Sequence, residues 1–386
     1  MPWHTAETGR FARRGGAPMA PVRVLQVVPA MNAGGMENFI MNVYRAIDRQ
    51  RVQFDFLYHF DMPCFFDEEI TALGGQITKL TVRQDLNLPR YLHQLNQFFA
   101  DHPEYKVVHG HYSGFGMFYN HVARRHGVPV RAGHSHNTSS ERSLIGLLDA
   151  SMSWFFNFDL TDRFACGQDA GKALFRGKPF VFLPNGVDAA AFAFSPARRE
   201  TMRASFGFLP EHRVLGHVGR FNQQKNHGYL LDIFAAWAAR CPEARLLLVG
   251  TGPLEEEVRR KAETLGLTDK VVFAGLRRDT AACYDAMDAF LLPSLFEGLP
   301  VTMVEAQAAG LPCYVSDVVD RSAAIADGVQ FLPLNNAPAW AEVLAAPLPG
   351  RNPRALEQVR AAHYDIVDTA RYLQRFYLHA YGEDMP

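Results

Sequence analysis

The five cysteines, Cys64, Cys166, Cys241, Cys283 and Cys313, include no C-x-x-C pair and are odd in number. That excludes a disulfide framework and a thiolate metal site, and predicts reduced, mostly buried thiols in a cytoplasmic protein. No apolar run approaches the roughly 20 residues that span a bilayer, so no transmembrane helix is expected. The opening stretch lacks the apolar core of a secretory signal. Residues 1–21 read instead as a disordered extension, with Met19 as a second candidate start. Excess charge is also missing: Lys plus Arg number 39 against 40 for Asp plus Glu, which removes the usual signature of a nucleic-acid partner. There is no internal repeat and no low-complexity tract.

What is present is a soluble globular composition, 48% hydrophobic and 20% charged, over 386 residues. That length exceeds one ordinary core and predicts two domains. From Val22 onward, short β-branched runs alternate with amphipathic helical stretches, the pattern of parallel sheets covered by helices. Strands are expected at 23–28, 54–58, 106–109, 128–132, 163–166 and 180–183. The turn Leu183-Pro184-Asn185-Gly186 then interrupts the series. A second series is expected at 214–218, 245–249, 270–273, 289–292 and 313–315. The boundaries follow: an extension at 1–21, a first domain at 22–185, a second domain at 186–366, and an aromatic-rich helix at 367–386 that could cross back to the first domain. Two doubly wound Rossmann-like α/β domains facing each other leave a cleft at the carboxyl ends of their strands, where ligands bind.

The most informative segment is the run from Pro293 to Pro312, with Glu297 in a loop and Glu305 eight residues on. Pro300 marks a helix start and Gly310 its stop. Side chains on a helix lean toward its N-terminus, so Glu305 should reach the cleft mouth and accept the two hydroxyls of a ribose. Backbone N–H groups at the helix start suit phosphate, which brings in Gly298, Leu299 and Pro300. Taken alone, either acid would read more simply as a dipole complement or a solvated loop residue.

Glu297 and Glu305 stand in an E-x7-E arrangement inside Phe-Glu-Gly-Leu-Pro…Glu-Ala…Ala-Gly-Leu-Pro. This resembles the retaining glycosyltransferases of the family 4 type, which have two facing Rossmann-like domains (the GT-B fold). Within them it is most similar to bacterial exopolysaccharide and capsule enzymes. Three further segments match in order. Val218-Gly219-Arg220 through Lys225-Asn226-His227 resembles the phosphate loop, where two cations can converge on a diphosphate. Gly250, Gly252 and Pro253 lie in a donor loop whose small residues let the backbone approach the nucleotide. A dinucleotide-binding reading of that loop fails, because Glu255 occupies the third glycine position. Leu276 and Arg277 lie in a loop that the resemblance assigns to the base.

On the acceptor side, Gly34 and Gly35 resemble the family's Gly-Gly-x-Glu segment, and paired glycines before a helix permit close approach of a diphosphate or acceptor. Two His-x-His pairs sit at strand ends. The resemblance sets one of His134 and His136 over the donor sugar, with His134 preferred and His136 toward the acceptor. A pair on one strand face could equally bind a metal, but no carboxylate or thiolate accompanies it, and no metal or cofactor is expected beyond the nucleotide sugar. His109 and His111 read as satisfied loop histidines. Arg124, Arg125, Arg131 and Arg142 near Trp154, Phe155 and Phe156 raise a peripheral contact with the cytoplasmic face of the inner membrane, although the aromatics read better as core.

The resemblance therefore implies transfer of a hexose from a nucleotide sugar, UDP-linked before GDP-linked, to a glycan or lipid-linked acceptor with retention of configuration. Arg220 and Lys225 would draw off the diphosphate, and Glu297 would grip the sugar. The alternatives are a nucleotide-sugar epimerase of the same fold and a non-catalytic sugar-nucleotide-binding subunit of a synthase.

Overall fold

The computed structural model describes residues 20–32, 34–82, 87–111, 115–136, 156–297 and 299–383. Most of the extension at 1–21, Arg142, Trp154 and Phe155 lie outside them. Two parallel sheets organise the described residues. The first holds β1 (Val22–Val28), β2 (Val52–Tyr58), β3 (Ile77–Lys79), β4 (Val107–Gly110), β5 (Val130–Ser135), β6 (Asp162–Ala165) and β7 (Val181–Phe182), in the order β3-β2-β1-β4-β5-β6-β7. The second holds β8 (Arg213–Val218), β9 (Ala244–Val249), β10 (Val271–Phe273), β11 (Ala289–Leu292), β12 (Cys313–Ser316) and β13 (Val329–Leu332), in the order β10-β9-β8-β11-β12-β13.

In each sheet the order reverses beside the first strand, between β1 and β4 and between β8 and β11. Ligand crevices open at such switch points. Helices cover both faces, so the central strands are buried almost throughout, as β11 is over all four of its residues. Trp237 and Trp340 anchor the core on one side of the second sheet, and Tyr284 and Met287 anchor the other.

Three strands depart most from expectation. β5 starts at Val130 rather than 128, because Val128 N–H instead closes the turn after the preceding helix by bonding the Ala123 carbonyl, with Gly127 at φ +81°. The strand therefore runs on through His134 to Ser135. β3 and β13 were not anticipated; both are edge strands, Ile-Thr-Lys and Val-Gln-Phe-Leu, too short for a pattern to stand out.

The helix Ile366–Ala380 packs on the first sheet, although it follows the second in the chain. Ile366, Ala370, Leu373 and Tyr377 recur at helical spacing and join the core of the first sheet beside the helix Gly35–Ala46. The chain makes this passage where two segments cross. Val187 N–H bonds the Tyr364 carbonyl at 2.9 Å, and Ile366 N–H bonds the Val187 carbonyl at 2.8 Å. Gly186 permits the crossing, since a Cβ there would stand 3.0 Å from the Tyr364 oxygen.

Candidate functional site

Four loops gather at the carboxyl ends of β8, β9, β10 and β11. The first two interlock through backbone hydrogen bonds: Gly219 N–H to Val249 O at 2.9 Å, Phe221 N–H to Thr251 O at 3.0 Å and Leu254 N–H to Phe221 O at 3.0 Å. Gly250 N–H then bonds Gly275 O at 2.8 Å and brings in the loop after β10. Gly250 sits at φ +131°, and a Cβ there would collide with the Gly219 carbonyl; at Gly252 it would collide with the Phe221 backbone. Their small size thus serves loop-on-loop contact.

The loop after β8 is pinned in turn to the loop after β11. Leu295 N–H bonds Gln224 O at 2.8 Å, and the Asn226 side chain donates to Pro293 O at 3.2 Å. Asn226 is at the head of the helix His227–Ala238 but adopts a left-handed conformation (φ 55°) and makes no side-chain cap. The clamp's main feature is an ion pair: Lys225 Nζ lies 2.6 Å from Glu297 Oε1, with the two side chains only 14% and 6% exposed. Gln224 Nε2 donates to the other Glu297 oxygen at 3.2 Å.

Arg220, in contrast, is exposed, and its side chain makes no ion pair or hydrogen bond among the described residues. Its positive charge acts on Glu37, on the first sheet's side of the cleft. Glu37 folds back over Gly34, whose missing Cβ makes room for the carboxylate, while the space above Gly35 is open. Burial pushes the Glu37 carboxyl up to about 7, against its own backbone hydrogen bond and the pull of Arg220. Glu37 is the acid of the Gly-Gly-x-Glu segment, to which the sequence alone attaches no role. Its position three residues after Gly34 is the capping-box spacing, a signal that was available.

Glu305 lies on the helix Val301–Ala308, which Pro300 precedes and Gly310 ends at φ +71°. Its Oε2 accepts a hydrogen bond from the buried Tyr284 hydroxyl at 2.8 Å, a partner that no sequence motif announced. Burial pushes the Glu305 carboxyl up to about 7, opposed by the Tyr284 hydrogen bond and the charge of Lys225. Leu299 packs beneath, among Val304 and its neighbours; Gly298 lies outside the described residues. Pro253 and Leu276 are exposed. Arg277 is engaged sideways by Asp279 at 2.6 Å, which holds the Asp279 carboxyl below its ordinary range.

On the first sheet, His109, His111, His134 and His136 form one group of rings. His134 stacks on His136 with centroids 4.1 Å apart, and His109 on His111 at 4.4 Å. His109 is therefore a buried strand residue and His111 a buried neighbour of it, not the loop histidines expected. Burial holds His111 and His134 well below the usual histidine range and brings His109 and His136 down to about 3, so all four rings are neutral at physiological pH. His134, preferred above for the donor sugar, is 2% exposed and packs edge-on against Phe39. His136 is half-buried. Of the basic surface, Arg124 pairs with Asp159 at 3.0 Å and Arg131 donates to the Asp159 carbonyl at 2.7 Å; Phe156 is core. No helix among the described residues is long and apolar enough to cross a membrane.

Comparison with known proteins adds to this geometry. Residues 33–191 match the family described as Glycosyltransferase Family 4, and residues 212–348 the family described as Glycosyl transferases group 1. The chain is 36% identical over 333 residues to EpsF of Bacillus subtilis (strain 168), a protein assigned as a glycosyltransferase, covering 84% of this chain and 87% of the relative. It is 29% identical over 226 residues to the Escherichia coli UDP-Gal:alpha-D-GlcNAc-diphosphoundecaprenol alpha-1,3-galactosyltransferase, covering 56% and 58%. Among solved structures, Anabaena Alr3699/HepE in complex with UDP and glucose matches with a TM-score of 0.69 at 17% identity, over 94% of this chain and 96% of that one. WaaG, a glycosyltransferase involved in lipopolysaccharide biosynthesis, matches at 0.65 and 17%, over 93% and 98%. These likenesses show a shared GT-B architecture.

Proposed function

Because this chain belongs to the glycosyltransferases of group 1 and family 4, we propose that it transfers a hexose from a nucleotide sugar to a glycan or lipid-linked acceptor in polysaccharide biosynthesis, with retention of configuration. The observation that carries the reading is the Lys225–Glu297 ion pair between the loops after β8 and β11, with Arg220 exposed on the first of them.

In the donor-free protein Lys225 and Glu297 neutralise each other. An incoming diphosphate competes for Lys225, adds the exposed Arg220, and releases Glu297 toward the sugar hydroxyls. As the glycosidic bond breaks, the two cations meet the charge growing on the leaving diphosphate, an effect of several kcal/mol for such groups. The sugar passes through an oxocarbenium-like state, and the acceptor hydroxyl attacks from the same face. The departing phosphate oxygen takes the hydroxyl proton; no separate general base and no metal is assigned a step. Glu305 accepts ribose hydroxyls, and Gly35 and the helix it begins face the donor from the other side. Of the two histidines after β5, the more exposed His136 is the better placed for the sugar.

A UDP-linked donor ranks ahead of a GDP-linked one because UDP is named with both the Escherichia coli relative and the Anabaena structure. The first of these also acts on a diphosphoundecaprenol-linked acceptor, which favours a lipid-linked acceptor and peripheral membrane contact here. Both sequence relatives described above carry glycosyltransferase names, which disfavours the epimerase and non-catalytic alternatives. Thermal-shift measurements against UDP-, GDP- and ADP-hexoses, followed by NMR of the product anomer, test the proposal. A donor at a hundred times its Kd adds about 2.7 kcal/mol of stability. An inverted product, or no stabilising donor, defeats it.

A further inference from the structure

The histidine group on the first sheet has a chemistry that sugar transfer does not use. His109, His111 and His134 are all buried, and one ring nitrogen from each lies within 4.8 Å of the others. Strand pairing brings them there. β4 and β5 are adjacent and parallel, with His109 opposite Ala132 and Gly110 opposite Gly133. Residues two apart share a face, so 109, 111 and 134 meet on the side covered by Phe39 and Tyr377.

Two of the rings are held from behind by oxygen atoms. The Tyr377 hydroxyl lies 2.7 Å from His109 Nδ1, and Gln26 Oε1 lies 2.8 Å from His111 Nε2. Metal-ligating histidines are oriented in this way, with one ring nitrogen fixed by an oxygen partner and the other turned to the ion. The opposite nitrogen of His109, Nε2, is buried and has no hydrogen-bond partner among the described residues; the same is true of both nitrogens of His134 and of Nδ1 of His136. Buried polar atoms are nearly always paired. Four such atoms in one cluster leave His109 and His134 with nitrogens open to an ion, and His111 joins them by turning Nδ1 away from His136 Nε2.

We propose that His109, His111 and His134 bind one divalent transition-metal ion of the imidazole-preferring kind, Zn2+ above all. The ion ties β4 to β5 beneath the C-terminal helix, whose Tyr377 orients one of its ligands. Three imidazoles leave a fourth position, and His136 stands beside it with Nε2 2.8 Å from His111 Nδ1. His109 and His134 lie stacked at an interplanar angle of 8°, so drawing the nitrogens to the roughly 2.0–2.1 Å of Zn–N bonds takes side-chain rotation but no change of strand register. An ion held by His134 also removes that ring from contact with a donor sugar. The site is separate from the donor clamp, and its test does not depend on transfer activity.

The full chain, stripped with EDTA, is titrated with Co2+ and read by its visible d–d absorption. One equivalent with tetrahedral bands is expected, displaced by Zn2+, weakened by more than about tenfold in His109→Ala and His134→Ala, and unchanged in His93→Ala, which alters an exposed histidine. Since deleting a buried ring can unfold the domain, X-ray absorption on the Zn2+-loaded wild type supplies an independent reading: at least three imidazole nitrogens at about 2.0–2.1 Å. No stoichiometric binding by the folded wild type overturns the proposal. So does binding that survives in folded variants, or a shell with fewer than three imidazoles.

Discussion

Lys225 and Glu297 face each other at 2.6 Å across two loops that follow different strands of the second sheet. The pair joins a group suited to phosphate and a group suited to sugar hydroxyls before either ligand is present. A clamp of this kind is preformed and electrically neutral, and a diphosphate must compete for its cation.

Breaking a largely buried pair leaves the surviving charge unpartnered. Lys225→Ala and Glu297→Ala are each expected to lower the stability of the donor-free protein by roughly 1–3 kcal/mol. The double variant should lose clearly less than the sum, because neither charge is then left alone. Urea denaturation of the four proteins measures the coupling, and simple additivity would mean that the pair contributes nothing.

Glu305 makes donor binding depend on pH. Its carboxyl titrates at about 7, raised by burial, and only the ionised form accepts two ribose hydroxyls. Donor affinity should therefore fall as the pH drops through about 7, and Glu305→Gln should bind weakly with a flatter profile. The folding linkage has the opposite sign. A raised carboxyl favours the fold fully below the unfolded value of 4.5 and loses that contribution as the pH rises through about 7. Unliganded Glu305→Gln should thus melt no lower than wild type at pH 8. Calorimetric titration and melting curves at several pH values check both halves.

Two glycines should differ sharply on substitution. Gly250→Ala combines a φ of +131° with a collision against backbone, so about 1–3 kcal/mol of strain or more is expected, together with loss of the donor site. Gly34→Ala meets only the end of the Glu37 side chain, which can swing away. Its stability should change by less than about 1 kcal/mol. Equal melting temperatures for the two variants would contradict the loop-on-loop account.

The last helix belongs energetically to the first sheet. Leu373→Ala should cost about 2–5 kcal/mol. Hydrogen exchange should report the loss in β1 and β2 rather than in β8 and β9, since Leu373 packs in the first sheet's core.

Alternation of β-branched and amphipathic runs was enough to read two parallel sheets, because buried central strands such as β8 and β11 are apolar in sequence. β3 and β13 escaped notice because they are too short for a pattern to stand out. At the site, motif spacing singled out Lys225 and Glu297, but not that they would pair, since their contact depends on two loops brought together by β8 and β11. Tyr284 was invisible for the same reason: it arrives on another helix. The two His-x-His motifs could be read only strand by strand, and adjacency of β4 and β5 made them one cluster.

The central claim is that Arg220 and Lys225 together draw the nucleoside diphosphate from the sugar. The most direct measurement is the single-turnover rate of nucleotide release in the presence of acceptor, for wild type and for folded Arg220→Ala and Lys225→Ala. The account predicts rates lower by roughly 10²–10³-fold in each variant, the cost of removing one donor to a developing charge. Rates within twofold of wild type in both would contradict it.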